Sequence, residues 1–220
     1  MLGQLQKTNM DRVFDTLDVT SDGHLSADDF QALAQRMRNL RPNMDAELAA
    51  EIDDAFTSWW EHFRKAADTD GDGRISREEF ISAVDHGLQN DPAYADRMVK
   101  VSQVTFRAAD AEGDGYLTPQ QVTRIYEAYG VDAQHSKETV ARLDRDSDGR
   151  ISVDEFVQAA REVYLSNDPT APGVVMFGPV AYSAATDLTP SQRGNSSRPS
   201  FSNGSLGCET RDPPLTHAQP

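Results

Sequence analysis

Two segments of this sequence, DTDGDGRISREE at residues 68–79 and DRDSDGRISVDE at residues 144–155, carry oxygen-bearing side chains at the spacing that binds calcium. A loop of this kind uses side chains at positions 1, 3, 5 and 12, a backbone carbonyl at position 7, and a water-mediated contact at position 9. Calcium is a hard cation that takes about six to eight oxygen ligands. The two complete matches, here called loop II and loop IV, therefore predict two calcium sites.

The predicted ligands fall on equivalent positions of these two loops. In each loop three aspartates precede an arginine, which contributes its carbonyl, and a glutamate that supplies both carboxylate oxygens at position 12. Loop II uses Asp68, Asp70, Asp72, Arg74 and Glu79, and loop IV uses Asp144, Asp146, Asp148, Arg150 and Glu155. Without a cation the four carboxylates of each loop repel one another, so both loops are predicted to bind metal.

Residues 18–29, DVTSDGHLSADD, form a weaker copy that we call loop I. Its predicted ligands are Asp18, Thr20, Asp22, the carbonyl of His24, and Asp29. Aspartate at position 12 is one methylene shorter than glutamate and can reach the ion with a single oxygen. Fewer oxygens shift the preference toward the smaller, six-coordinate Mg²⁺, so loop I is the site where magnesium competes most with calcium. Its occupancy by calcium is left open by the sequence.

Residues 110–121, DAEGDGYLTPQQ, form a second weak copy, loop III. Asp110, Glu112, Asp114 and the carbonyl of Tyr116 are the candidate ligands, but the neutral Gln121 stands at position 12. An amide cannot act as a bidentate carboxylate. Loop III is therefore predicted to be a structural partner for loop IV, with weak metal binding or none.

Helices with one apolar face are expected before and after every loop. Position 8 of each loop is apolar and suits a short strand, and an apolar face from Met98 to Phe106 predicts the helix that leads into loop III. The turn at residues 90–92 divides two halves. The predicted fold is all-α, with four helix–loop–helix units in two pairs forming a compact globule. Residues 1–90 form the first pair and residues 91–166 the second, with short β-bridges between paired loops.

The composition changes after the last predicted helix. Four consecutive apolar residues at 174–177 predict that residues 167–180 fold back onto the helical core. Residues 181–220 are rich in Pro, Ser, Gly and Asn and are predicted to be a disordered tail, because they cannot bury enough apolar area to offset the ordering entropy.

The charge balance limits the partners. Thirty-six acidic residues against 21 basic ones give a formal net charge of −15, which disfavours nucleic acid and anionic membrane surfaces and suits divalent cations. Cys208 is the single cysteine, so an intramolecular disulfide and a thiolate metal site are excluded. Neither a secretory apolar segment nor a membrane-spanning run is found, which predicts a cytoplasmic protein. The excess of arginine over lysine indicates a GC-rich, bacterial genome.

The sequence resembles the sarcoplasmic calcium-binding proteins of the EF-hand superfamily in three features. These are the four loops, the Trp59-Trp60 pair on the helix before loop II, and the segment PGVVMFG at residues 172–178. The bacterial, calerythrin-like branch is the most similar, and the resemblance covers roughly residues 1–179. It implies two packed EF-hand pairs that buffer or transport calcium without catalysis. Members commonly have a degenerate second loop, whereas here the second is complete and the third is weakened, so their occupancy is not transferred.

The leading functional prediction is a monomeric calcium buffer that binds two or three calcium ions. The alternative is a sensor that opens on calcium binding and grips an unidentified target protein. The few, scattered methionines and the short connection between the halves favour the buffer, because sensors use Met-rich surfaces. An enzyme is not predicted, because the five histidines show no spacing typical of a metal site or catalytic triad.

Overall fold

The computed structural model describes residues 1–177, apart from the side chains of residues 133 and 134. Within this range the chain is mostly helical, with four two-residue strands, as the all-α prediction requires. The helices are α1 (Gln4–Leu17), α2 (Ala27–Arg38), α3 (Ala46–Ala67), α4 (Arg77–Asn90), α5 (Tyr94–Met98), α6 (Lys100–Ala109), α7 (Pro119–Ala128), α8 (Ala133–Leu143) and α9 (Val153–Leu165). The strands are β1 (His24–Leu25), β2 (Ile75–Ser76), β3 (Tyr116–Leu117) and β4 (Ile151–Ser152), and a 3-10 helix spans Pro172–Val175.

Each helix that leaves loops II, III and IV is started by the loop itself. In loop II the hydroxyl of Ser76 accepts from the backbone N–H of Glu79, and the Glu79 carboxylate accepts from the backbone N–H of Ser76. The same reciprocal capping box joins positions 9 and 12 of loops III and IV. It satisfies backbone donors that the first turn of a helix leaves without intrahelical partners. A residue type chosen for metal binding therefore also fixes where the helix begins.

The loops pair in sequence order through their strands. Strand β1 is antiparallel to β2 with Leu25 opposite Ile75, and β3 is antiparallel to β4 with Leu117 opposite Ile151. All four of these position-8 side chains are fully buried. The predicted short β-bridges are thus confirmed, and they couple loop I to loop II and loop III to loop IV.

The apolar core is continuous across both helix–loop–helix pairs. In the first pair the ring of Phe80 lies 5.8 Å from that of Phe14 and 5.0 Å from that of Phe63, in edge-on and tilted contacts. In the second pair the ring centroids of Phe106 and Phe156 are 5.7 Å apart. Helix α3 packs on α6, and α1 packs on α9, which joins the two pairs. Polar contacts also cross this boundary, since the Gln6 side chain donates to the Tyr164 carbonyl at 2.9 Å.

The apolar face that leads into loop III is divided between two helices. The chain bends at Val99, where the backbone stays near the helical region (φ −82°, ψ −5°) and the N–H of Ser102 donates to the Val99 carbonyl at 3.0 Å. This tighter i to i+3 turn allows Met98, Val99 and Val101 all to be buried. Proline and glycine, the usual signals of a helix break, are absent from residues 94–109 of the sequence.

The 3-10 helix lies against α8 and α9, and Val174, Val175 and Met176 are buried. Its position is fixed by His135 on α8, whose Nε2 lies 2.7 Å from the Val175 carbonyl oxygen. Residues 178–180 of the predicted docking segment and the predicted disordered tail, residues 181–220, lie outside the described residues.

Candidate metal centres

Three carboxylates converge in loop II. Oxygen atoms of Asp68, Asp70 and Asp72 all lie within 4.8 Å of one another. The backbone holds Asp68 in place, because the N–H groups of Gly71 and Gly73 donate to its two oxygens at 2.8 and 3.3 Å. Gly73 has a φ of +81°, in the left-handed region that glycine adopts without strain. The predicted ligands at positions 1, 3 and 5 are thus brought together.

Glu79, the predicted bidentate ligand of loop II, is held by hydrogen bonds at both oxygens. Oε1 accepts from the hydroxyl of Thr69 at 2.7 Å and from its N–H at 3.0 Å, and Oε2 accepts from the N–H of Ser76 at 2.9 Å. These donors, led by the Thr69 hydroxyl, lower the pKa of Glu79 to about 2. The carboxylate is therefore ionised at neutral pH, as a calcium ligand must be.

Loop IV has an equivalent cluster that includes position 12. Oxygen atoms of Asp144, Asp146 and Glu155 all lie within 4.8 Å of one another. Burial raises the pKa of Glu155, and hydrogen bonds from Ser152 and Arg145 outweigh it, so the net pKa is lowered. Asp148, at position 5, accepts from the N–H of Arg150 at 2.7 Å.

The donor sets of loops II and IV fit a hard divalent cation. Only carboxylate, hydroxyl and carbonyl oxygens are offered by the predicted ligand positions, which is the set that calcium and magnesium prefer. Soft transition metals are disfavoured by this set, because they prefer thiolate or imidazole ligands. Among the described residues, these two clusters are the groups of three or more acidic, histidine or cysteine side chains close enough to share one ion.

Loop I is arranged around a short, fully buried carboxylate. Asp29 accepts from the N–H of Thr20 at 3.0 Å and from the N–H of Ser26 at 2.9 Å. In loops II and IV the glutamate at position 12 accepts from position 2 instead of position 3. The shorter side chain of Asp29 therefore accepts its hydrogen bond from a different position of its loop, that of Thr20. Asp18 and Asp22 keep the backbone contacts seen at positions 1 and 5 of the complete loops.

In loop III the amide oxygen of Gln121 keeps a bond that a carboxylate also makes, whereas its amide nitrogen makes bonds that a carboxylate cannot make. Its oxygen accepts from the N–H of Thr118 at 2.7 Å, which keeps the helix cap. Its nitrogen donates to the carbonyl of Ala109 and to the carboxylate of Glu112, both at 3.1 Å. Glu112, the position-3 carboxylate of loop III, thus accepts a hydrogen bond from the protein itself. In the complete loops the position-3 carboxylate lies among other acidic oxygens instead.

The structure gives Arg74 and Arg150 a second contact that the sequence analysis missed. Their carbonyls were predicted as ligands, but the guanidinium of Arg74 pairs with Asp22 of loop I and that of Arg150 pairs with Asp114 of loop III. The hydrogen bond from Arg150 is the largest cause that lowers the pKa of Asp114, and burial opposes it. No local pattern could have revealed these pairs, since their members lie 52 and 36 residues apart.

Comparisons with known proteins agree with this arrangement. Residues 7–84 and 100–161 match the family model described as an EF-hand domain pair, which is more than half of the chain. The protein therefore belongs to the EF-hand family and is a calcium-binding protein of that class.

Similarity to solved structures supports the same fold. A Streptomyces coelicolor calcium-binding protein, solved in a study of prokaryotic calcium-mediated regulation, is 27% identical with a TM-score of 0.62, over 72% of this chain and 97% of that one. A sarcoplasmic calcium-binding protein from amphioxus is 16% identical with a TM-score of 0.63, over 80% and 98% of the two chains. The predicted resemblance to sarcoplasmic calcium-binding proteins is confirmed at the level of the fold.

Calcium-dependent protein kinase 11 of Oryza sativa subsp. japonica is a curated relative, 28% identical over 158 residues, which are 71% of this chain and 24% of the kinase. The chain thus spans about a quarter or less of the length of the kinases it matches, and only their EF-hand regions are shared. In the described part of the chain, no helix is long and apolar enough to cross a membrane.

Proposed function

We propose that this protein is a calcium buffer that binds at least two ions, one in loop II and one in loop IV. The choice of a buffer rests on the burial of the apolar faces in the interface between the two EF-hand pairs. Met10 and Met37 of the first EF-hand pair are fully buried, and Met98 and Met176 are nearly so. A sensor would need such side chains at a surface that opens to a target.

Further support comes from the contacts that cover these faces. Helices α1 and α3 of the first pair lie against α9 and α6 of the second, and the 3-10 helix lies against α8 and α9. Opening either pair toward a target would expose residues that already pack on the other pair. A compact protein of this kind can change its calcium load with little change in surface.

The predicted ligands define how calcium would be held. Asp68, Asp70 and Asp72 are already gathered, and Glu79 would supply the remaining carboxylate at position 12. In loop IV Asp144, Asp146 and Glu155 are gathered, and Asp148 would supply the remaining carboxylate at position 5. A cytoplasmic location stays a prediction. A bacterial source also stays a prediction, and the similarity to a Streptomyces coelicolor protein supports it.

A calorimetric titration of the full chain with calcium, in millimolar magnesium, tests the number of ions bound. We expect two or three sites, the tightest with a Kd on the order of 10⁻⁸ M if the protein is a buffer. Glu79→Gln and Glu155→Gln should each abolish one tight site. Gln121 shows that an amide at position 12 preserves the helix cap, so these variants should stay folded. Glu78→Gln, exposed and adjacent, is the charge-matched control.

The same titration in the presence of a dye for exposed apolar surface separates buffer from sensor. A buffer should leave dye fluorescence nearly constant as calcium is added. A large calcium-dependent rise would favour the sensor, and absence of binding tighter than millimolar would exclude both.

A further inference from the structure

The aspartates at position 5 of the four loops share one hydrogen bond. In every loop Oδ1 accepts from the backbone N–H of position 7, at distances between 2.7 and 3.1 Å. The four aspartates are Asp22, Asp72, Asp114 and Asp148. Their local backbone environment is therefore the same in the complete loops and in the weak ones.

The four aspartates differ at their second oxygen. Oδ2 of Asp22 accepts from the Arg74 guanidinium, and Oδ2 of Asp114 accepts from the Arg150 guanidinium. Among residues 1–177, none donates a hydrogen bond to Oδ2 of Asp72 or Asp148 in the complete loops. In each EF-hand pair the arginine at position 7 of the complete loop thus donates a hydrogen bond to the position-5 aspartate of the weak loop.

Strand pairing explains why the contact occurs twice. Arg74 directly precedes β2 and Arg150 directly precedes β4, and each strand is antiparallel to the strand of the weak loop. In the second pair the guanidinium of Arg150 also lies 4.3 Å from the centre of the Tyr116 ring, a cation–π contact with position 7 of loop III. The arginine side chain is therefore held over the weak loop from two directions.

We propose that Arg74 and Arg150 act as internal cations that weaken metal binding in loops I and III. The inference rests on the proposed calcium sites of loops II and IV. A divalent ion entering a weak loop must displace a guanidinium from one of its ligands and must also bind close to a fixed positive charge. Both effects reduce affinity in the loop that receives the arginine, whereas in the complete loop no guanidinium has to be displaced from the position-5 aspartate.

Arg74→Met and Arg150→Met test this role, because methionine keeps much of the apolar stem and removes the charge. Arg97→Met is the matched control. Arg97 pairs with Asp91 outside the loops, with side chains 43% and 40% exposed, against 43% and 42% for Arg74–Asp22 and 44% and 45% for Arg150–Asp114. Any general effect of losing one positive charge is measured by this control.

Amide NMR during a calcium titration of the full chain reads each loop separately. The N–H groups of Gly23 and Gly115 donate to Asp18 and Asp110 at position 1, at 2.9 and 3.0 Å, so they report loops I and III. We expect the calcium midpoint at Gly23 to fall by about 3- to 10-fold in Arg74→Met, and that at Gly115 to fall similarly in Arg150→Met. In each variant the midpoint of the complete loop, reported by Gly73 or Gly149, should fall by a smaller factor than that of its weak partner, because only the weak loop loses a guanidinium hydrogen bond.

The outcomes separate the two proposals. Suppose first that Gly73 and Gly149 respond to calcium in the native protein. The proposed role of the arginines is then wrong if the calcium midpoints at Gly23 and Gly115 fall no further in Arg74→Met and Arg150→Met than in Arg97→Met. It is also wrong if Gly23 and Gly115 respond to calcium in none of the variants. If Gly73 and Gly149 do not respond even in the native protein, the calcium sites of loops II and IV are wrong. Thermal unfolding of each metal-free variant checks that it folds.

Discussion

At position 12 of each loop, one terminal atom of the side chain caps the following helix and the other terminal atom faces the loop. Glu79 and Gln121 make the same cap through Ser76 and Thr118, and differ only at their other terminal atom. In Glu79 that atom is an acceptor, whereas in Gln121 it is a donor that contacts Glu112. Helix formation therefore tolerates either residue type, whereas bidentate coordination of calcium at position 12 requires the carboxylate.

Gln121→Glu should convert loop III into a metal site. The new carboxylate keeps the cap and completes the set of Asp110, Glu112 and Asp114. It also faces the Glu112 carboxylate and the Ala109 carbonyl without a donor, so the metal-free protein should lose about 1 kcal/mol of stability. Calorimetry should find one additional calcium ion, and calcium should raise the unfolding temperature more than in the native protein.

Gln120→Glu provides the charge-matched control for this prediction. Gln120 is exposed and adjacent, but it lies outside the ligand positions. An increase in stoichiometry in both variants would mean that net charge, and not position 12, determines binding in loop III.

The low pKa of Glu79 predicts how the metal-free protein responds to acid. A folded-state pKa of about 2, below the ordinary 4.5, means that this carboxylate contributes stability above pH 4.5 and that the contribution is lost as pH falls through 2. Thr69→Val removes the hydroxyl that contributes most to the lowering, so the Glu79 pKa should rise. The stability difference between native protein and variant should be full at neutral pH and vanish near pH 2.

Carbon NMR of the Glu79 carboxyl group in metal-free protein measures this pKa directly. Thr57→Val, at an exposed site on α3, controls for the loss of a threonine hydroxyl. Titration of Glu79 at its ordinary pKa in the native protein would contradict the prediction.

At the scale of elements, the 3-10 helix depends on close backbone contact with α9. A Cβ added to Gly173 would overlap the carbonyl oxygen of Ala159 and lie 2.6 Å from the Cβ of Glu162. Neither neighbour can move without displacing α9. Gly173→Ala should therefore destabilise the protein by about 1–3 kcal/mol and release the segment. Chemical denaturation measures the first effect, and faster amide exchange at residues 174–176 the second.

Gly3→Ala offers a contrasting control. An added Cβ there would meet Oδ1 of Asn167 at 2.5 Å, but this atom ends a flexible side chain that can turn away. We expect a change well under 1 kcal/mol. Equal destabilisation by both substitutions would show that the close contact with α9 is not the cause.

The elements show which features a single sequence can predict. Loop positions were predictable because the ligands, the glycine and the capping residues lie within twelve consecutive residues. The bend at Val99 was not, because it accompanies the burial of Met98, Val99 and Val101 and no helix-breaking residue marks it. The contact of His135 with Val175 was also missed, since a lone histidine carries no spacing signal across 40 residues.

The two arginine contacts mark the same limit within the candidate sites. The sequence places Arg74 at a carbonyl-ligand position, but it does not specify the direction of the side chain. Pairing of β1 with β2 brings Asp22 within its reach. Such contacts could be suggested once it is known which complete loop pairs with which weak loop. The sequence alone lacks this information, because the pairing belongs to the tertiary structure.

At the scale of the whole molecule, the continuous core predicts that both EF-hand pairs unfold together. Phe156 lies in the second pair, is 2% exposed and contacts Phe106. Trp59 and Trp60 lie in the first pair, on the helix that packs against α6. Because Phe106 lies on α6, a substitution that weakens the second core should also shift the unfolding transition measured by tryptophan fluorescence.

Phe156→Ala should lower the free energy of unfolding by about 3–5 kcal/mol, since it leaves a large cavity in a close-packed region. In metal-free protein the denaturation midpoint from tryptophan fluorescence should fall as far as that from NMR signals of Ile125 and Ile151, which are buried in the second pair. Leu165→Ala, at a side chain 48% exposed, should leave both midpoints nearly unchanged. A fall confined to the isoleucine signals would mean that the pairs are independent folding units, and burial of one against the other would then no longer argue against a calcium-driven opening.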